Sequence, residues 1–423
     1  MNCTDSFIHY LYDKSLLIEP KHIQKAKDCS SDYRAVVEAG AKKSSCKWQG
    51  VLQHLPKGNA QIFGYQKTTD SKTASLINGF NAHCLELDDG QRFAMIHLGA
   101  SIISAIEASS ADFEMSEHDR LIGIIMGYES ACRIAIAMQP SHKQLGYHAA
   151  GTCGTIGSAI GVAFALGMNR EQMKRVLTTA AASAAGMLEI QEQDSELKPY
   201  NLGRAAMDGL TAAYMGLSDF ETPDDIIGGE KGFFKLFSTQ YDSAKLIEPQ
   251  DYFEIDRIYV KPYASCRHSH SAVEAAILLS NGLNVDHIKQ VTVETYKMAI
   301  KGHNHTDIHS PSAAKLSIPY AVAAGLLYGR ADLSVFEPLD ESVAALAKKV
   351  RVVENPTLTA ESPDKRIAIV TVIMIDGVRK ESRIDYAKGD PENPMTQDDL
   401  YKKIESLHLF SFSNHNSHKE ILS

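Results

Sequence analysis

From about residue 72 to 246 the chain carries helical sequence patterns with few interruptions, and many of their positions hold small residues. The segment RLIGIIMGYESACRIAIAM (120–138) is apolar on nearly every side, which is typical of a helix in the middle of a bundle. GTIGSAIGVAFALGM (154–168) and GRAAMDGLTAAYMGL (203–217) follow, with Gly and Ala at helical spacing. Because small side chains let helices pack closely, this region predicts a dense helical bundle.

The sequence pattern changes near residue 252, where β-branched residues become frequent. Three segments predict strands: HIKQVTVETY (287–296), KKVRVVE (348–354) and KRIAIVTVIMIDGVRKESRID (365–385). The last segment contains Asp376-Gly377, which predicts a tight hairpin. Helical patterns alternate with these strands, at 270–281, 312–329 and 340–349. This part of the chain therefore predicts a smaller α+β unit.

The predicted fold class is mostly α with an α+β part, a large all-helical bundle domain plus a smaller α+β lid domain. We expect the helical domain to span residues 1–250 and to be completed by a C-terminal helix within 391–423, where Thr396 is the predicted N-cap. The lid domain is expected at 251–390. Residues 1–60 are expected to form short helices joined by loops.

Composition excludes several classes of protein. The 423 residues carry a net charge of −9 without a basic block, which argues against nucleic acid or an acidic membrane surface as a partner. The seven cysteines are scattered and include no CxxC, so disulfides and clustered metal sites are not expected. The N-terminus lacks a secretory pattern, and no run of about 18 apolar residues occurs. We therefore expect a cytoplasmic protein.

A polar loop between two apolar helical patterns is the first candidate site. NAHCLELDDGQRFAMIHLGAS (81–101) holds the carboxylates Glu86, Asp88 and Asp89 together with His83 and His97. Catalytic groups often lie on loops that rigid elements position, so this loop is a candidate active-site segment. The alternative is a solvated helix end with Asp89-Gly90 as an ordinary turn.

Three further clusters lie at predicted helix starts. They are LGYHAAGTCGT (145–155) with His148, LKPYNLGRAAMDG (197–209) with Lys198, and YVKPYASCRHSHS (259–271) with Lys261, Cys266, Arg267 and His270. Cations can neutralise a carboxylate and the enolate-like charge beside it, while a histidine or a carboxylate moves the proton. The set therefore suits proton abstraction next to a carboxylate, and a cleft between the two domains would exclude water. The alternative is that the two lysines are solvated surface residues.

Other interpretations remain open at this point. Gly151-x-x-Gly154-x-x-Gly157 resembles a phosphate loop, but it lacks a GK[ST] ending, and close helix packing explains it better. A metal-dependent hydrolase could use His303, His305, His309 and the His268-x-His270 pair. A protein that has lost catalysis and kept binding is a third possibility. We predict no metal and no cofactor.

Five segments resemble the MmgE/PrpD family, which includes 2-methylcitrate dehydratase, cis-aconitate decarboxylase and iminodisuccinate epimerase. They are NGFNAHCLELDDG, GYHAAGTCGTIGSAIGVAFALGM, LKPYNLGRAAMDGLTAA, VKPYASCRHSHSAVEAA and AKLSIPYAVAAGLLYG. The resemblance covers about residues 22–390 in the family's order. It places His97, His148, Lys198, Lys261, His270 and Tyr320 at positions of the family's motifs. Three positions depart from the pattern, since Glu86 stands for an aspartate, Gly90 for a common Thr or Ser, and Ala264 for a common proline. The loop from Asp89 to His97 is also one residue longer than in the family's pattern.

The resemblance implies a homodimer with a cofactor-free active site for a small di- or tricarboxylate. Lys198 and Lys261 would bind carboxylates, with Arg267, His270 and Cys266 as further substrate-binding candidates. His97 and His148 would act as acid and base, Glu86 or Asp89 would orient a histidine, and Tyr320 would donate a proton. The expected activity is that of a lyase of the dehydratase type, similar to 2-methylcitrate dehydratase. An epimerase or a decarboxylase on the same scaffold is the alternative.

Overall fold

The computed structural model describes residues 1–192 and 195–412, and these residues divide into two compact units. Unit 1 comprises Met1–Cys84, Asp88–Ile258 and the described part of Ile404–Ser423. Unit 2 comprises Leu85–Leu87 and Tyr259–Lys403. The division therefore falls at 258/259, where the sequence predicted 250/251, and residues 391–403 group with unit 2. The part of the predicted C-terminal helix at 413–423 lies outside the described residues.

Unit 1 is built almost entirely of helices, with one short antiparallel hairpin of β1 (Ala60–Ile62) and β2 (Lys67–Thr69). Its helices are α1 (Cys3–Ser15), α2 (Pro20–Leu52), α3 (Ser71–His83), α4 (Gly99–Ser109), α5 (Glu117–Met138), α6 (Ser141–Gln144), α7 (Ala149–Ala165), α8 (Arg170–Ser183), α9 (Tyr200–Gly216) and α10 (Phe233–Phe237). Short 3₁₀ turns occupy Leu188–Gln191, Ser243–Leu246 and Glu254–Arg257.

Helix α7 runs through the middle of unit 1 and packs closely through its glycines. A Cβ atom added at Gly154 would lie 3.1 Å from Ser101 Oγ of α4, and one added at Gly161 would lie 3.1 Å from Ile106 Cδ1 further along α4. One added at Gly157 would lie 2.6 Å from Ala131 Cβ of α5. These close approaches confirm that the glycine run of α7 serves helix packing.

The same contacts give the directions of the helices. Contacts between α4 and α7 advance along both chains together, from Ser101–Gly154 to Ile106–Gly161, so these two helices run in parallel. Helix α9 runs parallel to α7 as well, because the Gly154 position faces Ala205 and the Gly209 position faces Thr155 and Ala159. Helix α3 runs against α9, since Ser71 at its start bonds Tyr214 near the end of α9. The starts of α4, α7 and α9 and the end of α3 therefore lie at one end of unit 1.

The prediction of short helices for residues 1–60 was wrong, because α2 is one helix of 33 residues. Its polar residues Ser31 and Arg34 lie on the exposed face, and Arg34 pairs with Glu38 one turn later. The opposite face is buried along most of the helix. Gly40 lies inside this helix, where the absence of a side chain lets the Asn81 carbonyl approach closely.

Helix α5 is long and apolar enough to cross a membrane by length and composition alone, but 89% of its most apolar window is buried inside the protein. Tyr128, Cys132 and Ile134 have no exposed surface. The prediction that residues 120–138 form a central core helix is confirmed.

Unit 2 contains a four-stranded sheet in the order β4-β3-β5-β6, in which β3 pairs parallel with β4 and antiparallel with β5. Its strands are β3 (Ile288–Thr295), β4 (Val350–Glu354), β5 (Ala368–Met374) and β6 (Arg379–Ile384). Its helices are α11 (His270–Ser280), α12 (Lys297–Ile300), α13 (Pro311–Leu316), α14 (Ile318–Tyr328), α15 (Leu333–Phe336), α16 (Glu341–Ala347) and α17 (Pro356–Ala360).

The strands predicted from the β-branched runs are confirmed. The predicted hairpin joins β5 and β6, and Gly377 turns the chain there with φ of +88°. A last helix, α18 (Gln397–Phe412), begins after Thr396, whose side-chain oxygen accepts the backbone N–H of Asp399 as a cap. The predicted fold class, mostly α with an α+β part, is confirmed.

Candidate active site

One end of unit 1 gathers three of the sequence-predicted site residues. His97 lies two residues before α4, His148 is the N-cap of α7, and Lys198 lies two residues before α9. Because these three helices start at the same end of the unit, their unpaired N–H groups and dipoles give that end a positive potential. The arrangement favours anionic ligands.

The loop after α3 brings two histidines onto one carboxylate. The Nδ1 atom of His83 lies 2.8 Å from Oδ2 of Asp88, and Nδ1 of His97 lies 3.4 Å from the same oxygen. The two imidazole rings lie 4.8 Å apart. His83 and Asp88 are buried, and the side chain of His97 is 15% exposed. The partly exposed imidazole of His97 thus contacts the buried Asp88 carboxylate and packs near the ring of His83.

The hydrogen bonds of His97 determine which ring nitrogen carries the proton. Its Nδ1 lies 2.9 Å from the backbone carbonyl oxygen of Asp89 and 3.4 Å from Oδ2 of Asp88. Both of these are acceptors, so Nδ1 carries the hydrogen in the neutral ring and Nε2 presents a lone pair. His97 is therefore arranged as a base.

The Asp89 side chain holds the start of α4. Its carboxylate accepts the backbone N–H of Gly99 at 2.8 Å and the hydroxyl of Tyr128 at 2.5 Å. Burial raises the pKa of Asp89 to about 6, although both hydrogen bonds act to lower it. Asp89 thus fixes the loop whose carbonyl orients His97, while the contact of a carboxylate with the imidazole comes from Asp88.

His148 has the opposite arrangement. The side-chain Nδ2 of Asn201 donates to Nδ1 of His148 at 3.1 Å and to the carbonyl oxygen of Met187 at 3.2 Å. The Met187 carbonyl can only accept, which fixes the orientation of the amide and makes Nδ1 of His148 an acceptor. The neutral ring then carries its hydrogen on Nε2. His148 is therefore arranged as a proton donor, where His97 is arranged as an acceptor.

Lys198 is half-buried just before Pro199, the N-cap of α9. The neighbouring Arg204 is held by the carbonyls of Ser183 and Ala185 and by Asp208. Arg204 thus ties the end of α8 and the residues just after it to the first turns of α9, which follows Lys198.

In unit 2 the candidate lysine pairs with the first acid of the loop. Nζ of Lys261 lies 3.0 Å from Oε2 of Glu86, and both residues are buried. Glu86 has a positive φ of 55°, a left-handed backbone conformation that non-glycine residues rarely adopt. The sequence predicted that Glu86 or Asp89 orients a histidine. Glu86 contacts the Lys261 ammonium, and its role in orienting a histidine stays a prediction.

Arg267 and His270 are engaged inside unit 2. The guanidinium of Arg267 pairs with Asp390 at 2.6 Å and donates to Nδ1 of His270 and to the carbonyl of Lys388. His270 is fully buried and donates from Nε2 to the carbonyl of Ser265. Burial, with the charges of Arg267 and Lys261, lowers the pKa of His270 well below its usual value. These contacts support the loop that carries Cys266, and substrate binding by Arg267 or His270 stays a prediction.

Tyr320 also has structural partners. Its ring is fully buried in α14, and its hydroxyl donates to the Val335 carbonyl at 3.1 Å and accepts the N–H of Asp340 at 2.9 Å. These bonds use the hydroxyl inside unit 2, so they do not support the predicted donation to a substrate.

The described part of the chain contains one group of three side chains that could together hold a metal ion. It consists of His83, Asp88 and His97, whose ligand atoms lie within 4.8 Å of one another. Among the histidines of the alternative hydrolase, His303 and His305 bond the backbone carbonyls of Leu316 and Ala313. No such group of them occurs among the residues that the structure describes.

Sequence reasoning named no role for four residues that shape this site: His83, Asp88, Asn201 and Tyr128. Asp88 was named only as one acid of the loop, since the sequence could not tell which acid of the segment faces His97. Asn201 follows Lys198-Pro199 in a cluster that was already identified, so its position was a usable signal. Tyr128 is distant in sequence and carried no signal.

A helical unit that holds two histidines with opposite proton positions, one of them beside a buried carboxylate, is typical of enzymes that work by acid–base chemistry. The chain belongs to the MmgE/PrpD family: the profile of the MmgE/PrpD N-terminal domain matches residues 12–245, and that of the C-terminal domain matches residues 263–423. The family predicted from the sequence motifs is confirmed.

Curated relatives include the cis-aconitate decarboxylase-like protein oryM of Aspergillus oryzae, which is 23% identical over 397 residues covering 85% of this chain and 80% of that protein. The cis-aconitate decarboxylase of Mus musculus is 22% identical over 356 residues, covering 78% of this chain and 70% of its own. That of Homo sapiens is 23% identical over 352 residues, covering 78% and 71%. The family and these relatives support an enzyme related to those that act on polycarboxylates.

Proposed function

We propose that the protein is a cofactor-independent lyase that acts on a small di- or tricarboxylate through a carbanion next to a carboxylate. The observation that carries the proposal is the opposite arrangement of the two histidines, with an Nε2 lone pair on His97 and an Nε2–H on His148. Removing a proton from carbon and then protonating the leaving group needs such a pair.

In the proposed step, Nε2 of His97 takes the proton from the carbon next to the carboxylate. The His97 ring then carries a positive charge beside the Asp88 carboxylate, and its Nδ1–H remains bonded to the Asp89 carbonyl. Both contacts stabilise the protonated ring. His148 donates its Nε2 proton to the departing hydroxyl group.

The carbanion would be stabilised by cations and by helix starts. Lys198 and Lys261 stay the proposed carboxylate-binding residues, and the start of α9 after Lys198 adds a favourable dipole. The Glu86 carboxylate keeps Lys261 charged in its buried position. Neutralising the substrate carboxylate makes the carbon acid beside it easier to deprotonate.

Dehydration is the leading outcome, because the acid and base arranged on His148 and His97 match loss of water. Decarboxylation is the second candidate, and the names of the relatives favour it. In that case CO₂ leaves in place of the α proton, and a histidine donates a proton to the resulting carbanion. Epimerisation would use the proton abstraction alone.

The experiment is a screen of citrate-, aconitate-, malate- and aspartate-like acids by proton NMR. Loss of water gives a new vinyl signal from a hydroxy acid. Loss of CO₂ replaces the vinyl signal of an unsaturated triacid by that of an unsaturated diacid, with bicarbonate formed alongside. Turnover of one of these acids without added metal supports the proposal. Metal-dependent hydrolysis of an ester or amide, with no change in any acid of the panel, would contradict it.

A further inference from the structure

The loop before α11 places a thiol against an imidazole in unit 2. Sγ of Cys266 lies 3.8 Å from Nε2 of His303, and both side chains are partly exposed. Their main chains are tied to the same segment of the fold, since the N–H of Cys266 donates to the Lys315 carbonyl and the N–H of Ile318 donates to the His303 carbonyl. The pairing therefore rests on backbone anchors as well as on the side-chain contact.

The protonation of His303 suits it to act on the thiol. Its Nδ1 lies 3.0 Å from the backbone carbonyl oxygen of Leu316, an acceptor, so Nδ1 carries the hydrogen and the Nε2 lone pair faces Sγ. The ring of His268 lies 5.4 Å from that of His303, and Nδ1 of His268 is bonded to the hydroxyl of Tyr296. An activated nucleophile needs a nucleophile, a base and a group that orients the base. Here these are the Cys266 thiol, the His303 imidazole and the Leu316 carbonyl.

Other cysteines of the chain are placed differently. Burial raises the pKa of Cys29, Cys132 and Cys153, and the fully buried thiols have no surface for a reagent. Cys3 is partly exposed like Cys266, but burial and the nearby Asp225 carboxylate raise its pKa. A thiol that hands its proton to an imidazole is the reactive kind, because the thiolate is the nucleophile.

We propose that Cys266 is a covalent modification site for α,β-unsaturated carboxylic acids, with His303 as its base. His303 Nε2 takes the thiol proton, and the sulfur lone pair forms a C–S bond to the β carbon. The C=C π electrons move to the α carbon, which then takes the proton back from the imidazolium. The adduct is a thioether that contains every atom of the acid, and nothing is oxidised or reduced.

The identity of the natural electrophile rests on the proposed function. Dehydration of a β-hydroxy acid and decarboxylation of an unsaturated triacid both release α,β-unsaturated acids, which are acceptors for thiolates. Lys261, the proposed carboxylate-binding residue of unit 2, precedes Cys266 by five residues.

The first test measures alkylation by iodoacetamide, with peptide mass spectrometry to follow each cysteine separately. At pH 7 we expect Cys266 to react at least about tenfold faster than Cys3, which corresponds to a thiolate population about tenfold larger. His303→Gln should slow Cys266 by a similar factor and leave Cys3 and the exposed Cys46 unchanged. Equal rates at Cys266 and Cys3 in the unsubstituted protein, or no effect of H303Q, would overturn the proposal.

The second test incubates the protein with fumarate and with succinate, its saturated control, and maps the adducts. A gain of the whole mass of fumarate at Cys266, absent with succinate and reduced in H303Q, supports the assignment. Alkylation by iodoacetamide without any fumarate adduct would overturn the assigned class of electrophile. Neither test uses turnover, so a protein that modifies Cys266 but converts no acid would refute the proposed function alone.

Discussion

At the scale of single residues, the chemistry follows from which nitrogen of each histidine is already used. His97 donates its Nδ1 hydrogen to the Asp89 carbonyl, and Nδ1 of His148 accepts a hydrogen bond from Asn201. Motif reasoning found both histidines but could not assign base and acid. The assignment needs the partners of the ring nitrogens, and those come from a backbone carbonyl and from an amide 53 residues away.

Asn201→Asp tests the assignment of His148. A carboxylate accepts where the amide donated, so the hydrogen of His148 would move to Nδ1 and Nε2 would lose its donor role. We expect kcat to fall by about 10²–10⁴, the usual contribution of a general acid or base. ¹⁵N NMR of the imidazole should show the proton on Nδ1 of His148 with His97 unchanged. Full activity in N201D would refute the donor role.

Asp88→Asn tests the support of His97. Removing the negative charge beside the imidazole destabilises its protonated form, so the pKa of the base falls and the acidic limb of the pH–rate profile shifts to lower pH. We expect kcat to fall by about 10². Asp286→Asn makes the same chemical change at an exposed position of unit 2 and should leave both the profile and the rate unchanged. A D88N profile that matches the unsubstituted enzyme would contradict the account.

At the scale of elements, the spacing of apolar residues predicted the helices and strands better than it predicted their ends. The apolar core helix α5, the β5–β6 hairpin and the cap at Thr396 were all readable, because each depends on residues near in sequence. Helix α2 was missed as one element, because polar residues on its exposed face interrupt the apolar pattern. The β1–β2 hairpin was missed because strands of three residues carry almost no pattern.

Gly157→Ala tests the close packing of α7. The added Cβ would lie 2.6 Å from Ala131 Cβ and 2.8 Å from the Gly127 carbonyl oxygen, so the helices must move apart. We expect the free energy of unfolding to fall by about 1–3 kcal/mol, measured by urea denaturation. Gly50→Ala is the matched control, since a Cβ at that exposed position of α2 meets no atom within 4 Å. It should raise stability by about 0.5–1 kcal/mol. A G157A protein as stable as the original would exclude tight packing at this position.

At the scale of the whole molecule, buried acids make the stability of unit 1 depend on pH. Burial and the nearby Glu129 raise the pKa of Glu254 to about 7, while Oε2 of Glu254 accepts a hydrogen bond from Gln91. The folded protein thus binds a proton that the unfolded chain has lost above its ordinary pKa of about 4.5. Stability contributed by this proton is fully present below about pH 4.5 and is lost as the pH rises through about 7.

Glu254→Gln tests this dependence, because glutamine resembles the protonated acid and does not titrate. We expect the loss of unfolding free energy between pH 5 and pH 8 to shrink by on the order of 3 kcal/mol. Asp89 shifts in the same direction, so part of the loss remains in the variant. Unchanged pH dependence in E254Q would show that Glu254 ionises normally in the folded protein.

The homodimer expected from the family resemblance stays a prediction. Several apolar side chains of unit 1 are exposed in the segments around His148 and Lys198. Met187 pairs with Tyr147 in a short β-bridge, and Leu145, Leu197 and Tyr200 are exposed as well. A patch of this kind on unit 1 suits contact with a second copy. Sedimentation should give a mass twice 46.4 kDa, and Met187→Glu should lower it towards the monomer. A monomer at micromolar concentration in the unsubstituted protein would refute the prediction.

The most direct test of the central claim is the entry of solvent deuterium at the carbon next to a carboxylate. With an acid that the enzyme converts, incubation in D₂O should place carbon-bound deuterium in the recovered substrate or in the product. His97→Gln should abolish this incorporation, whereas the Asp286→Asn control should retain it. A substrate and product that have reached equilibrium in D₂O without any carbon-bound deuterium in either, or undiminished incorporation in H97Q, would contradict a carbanion formed by this histidine.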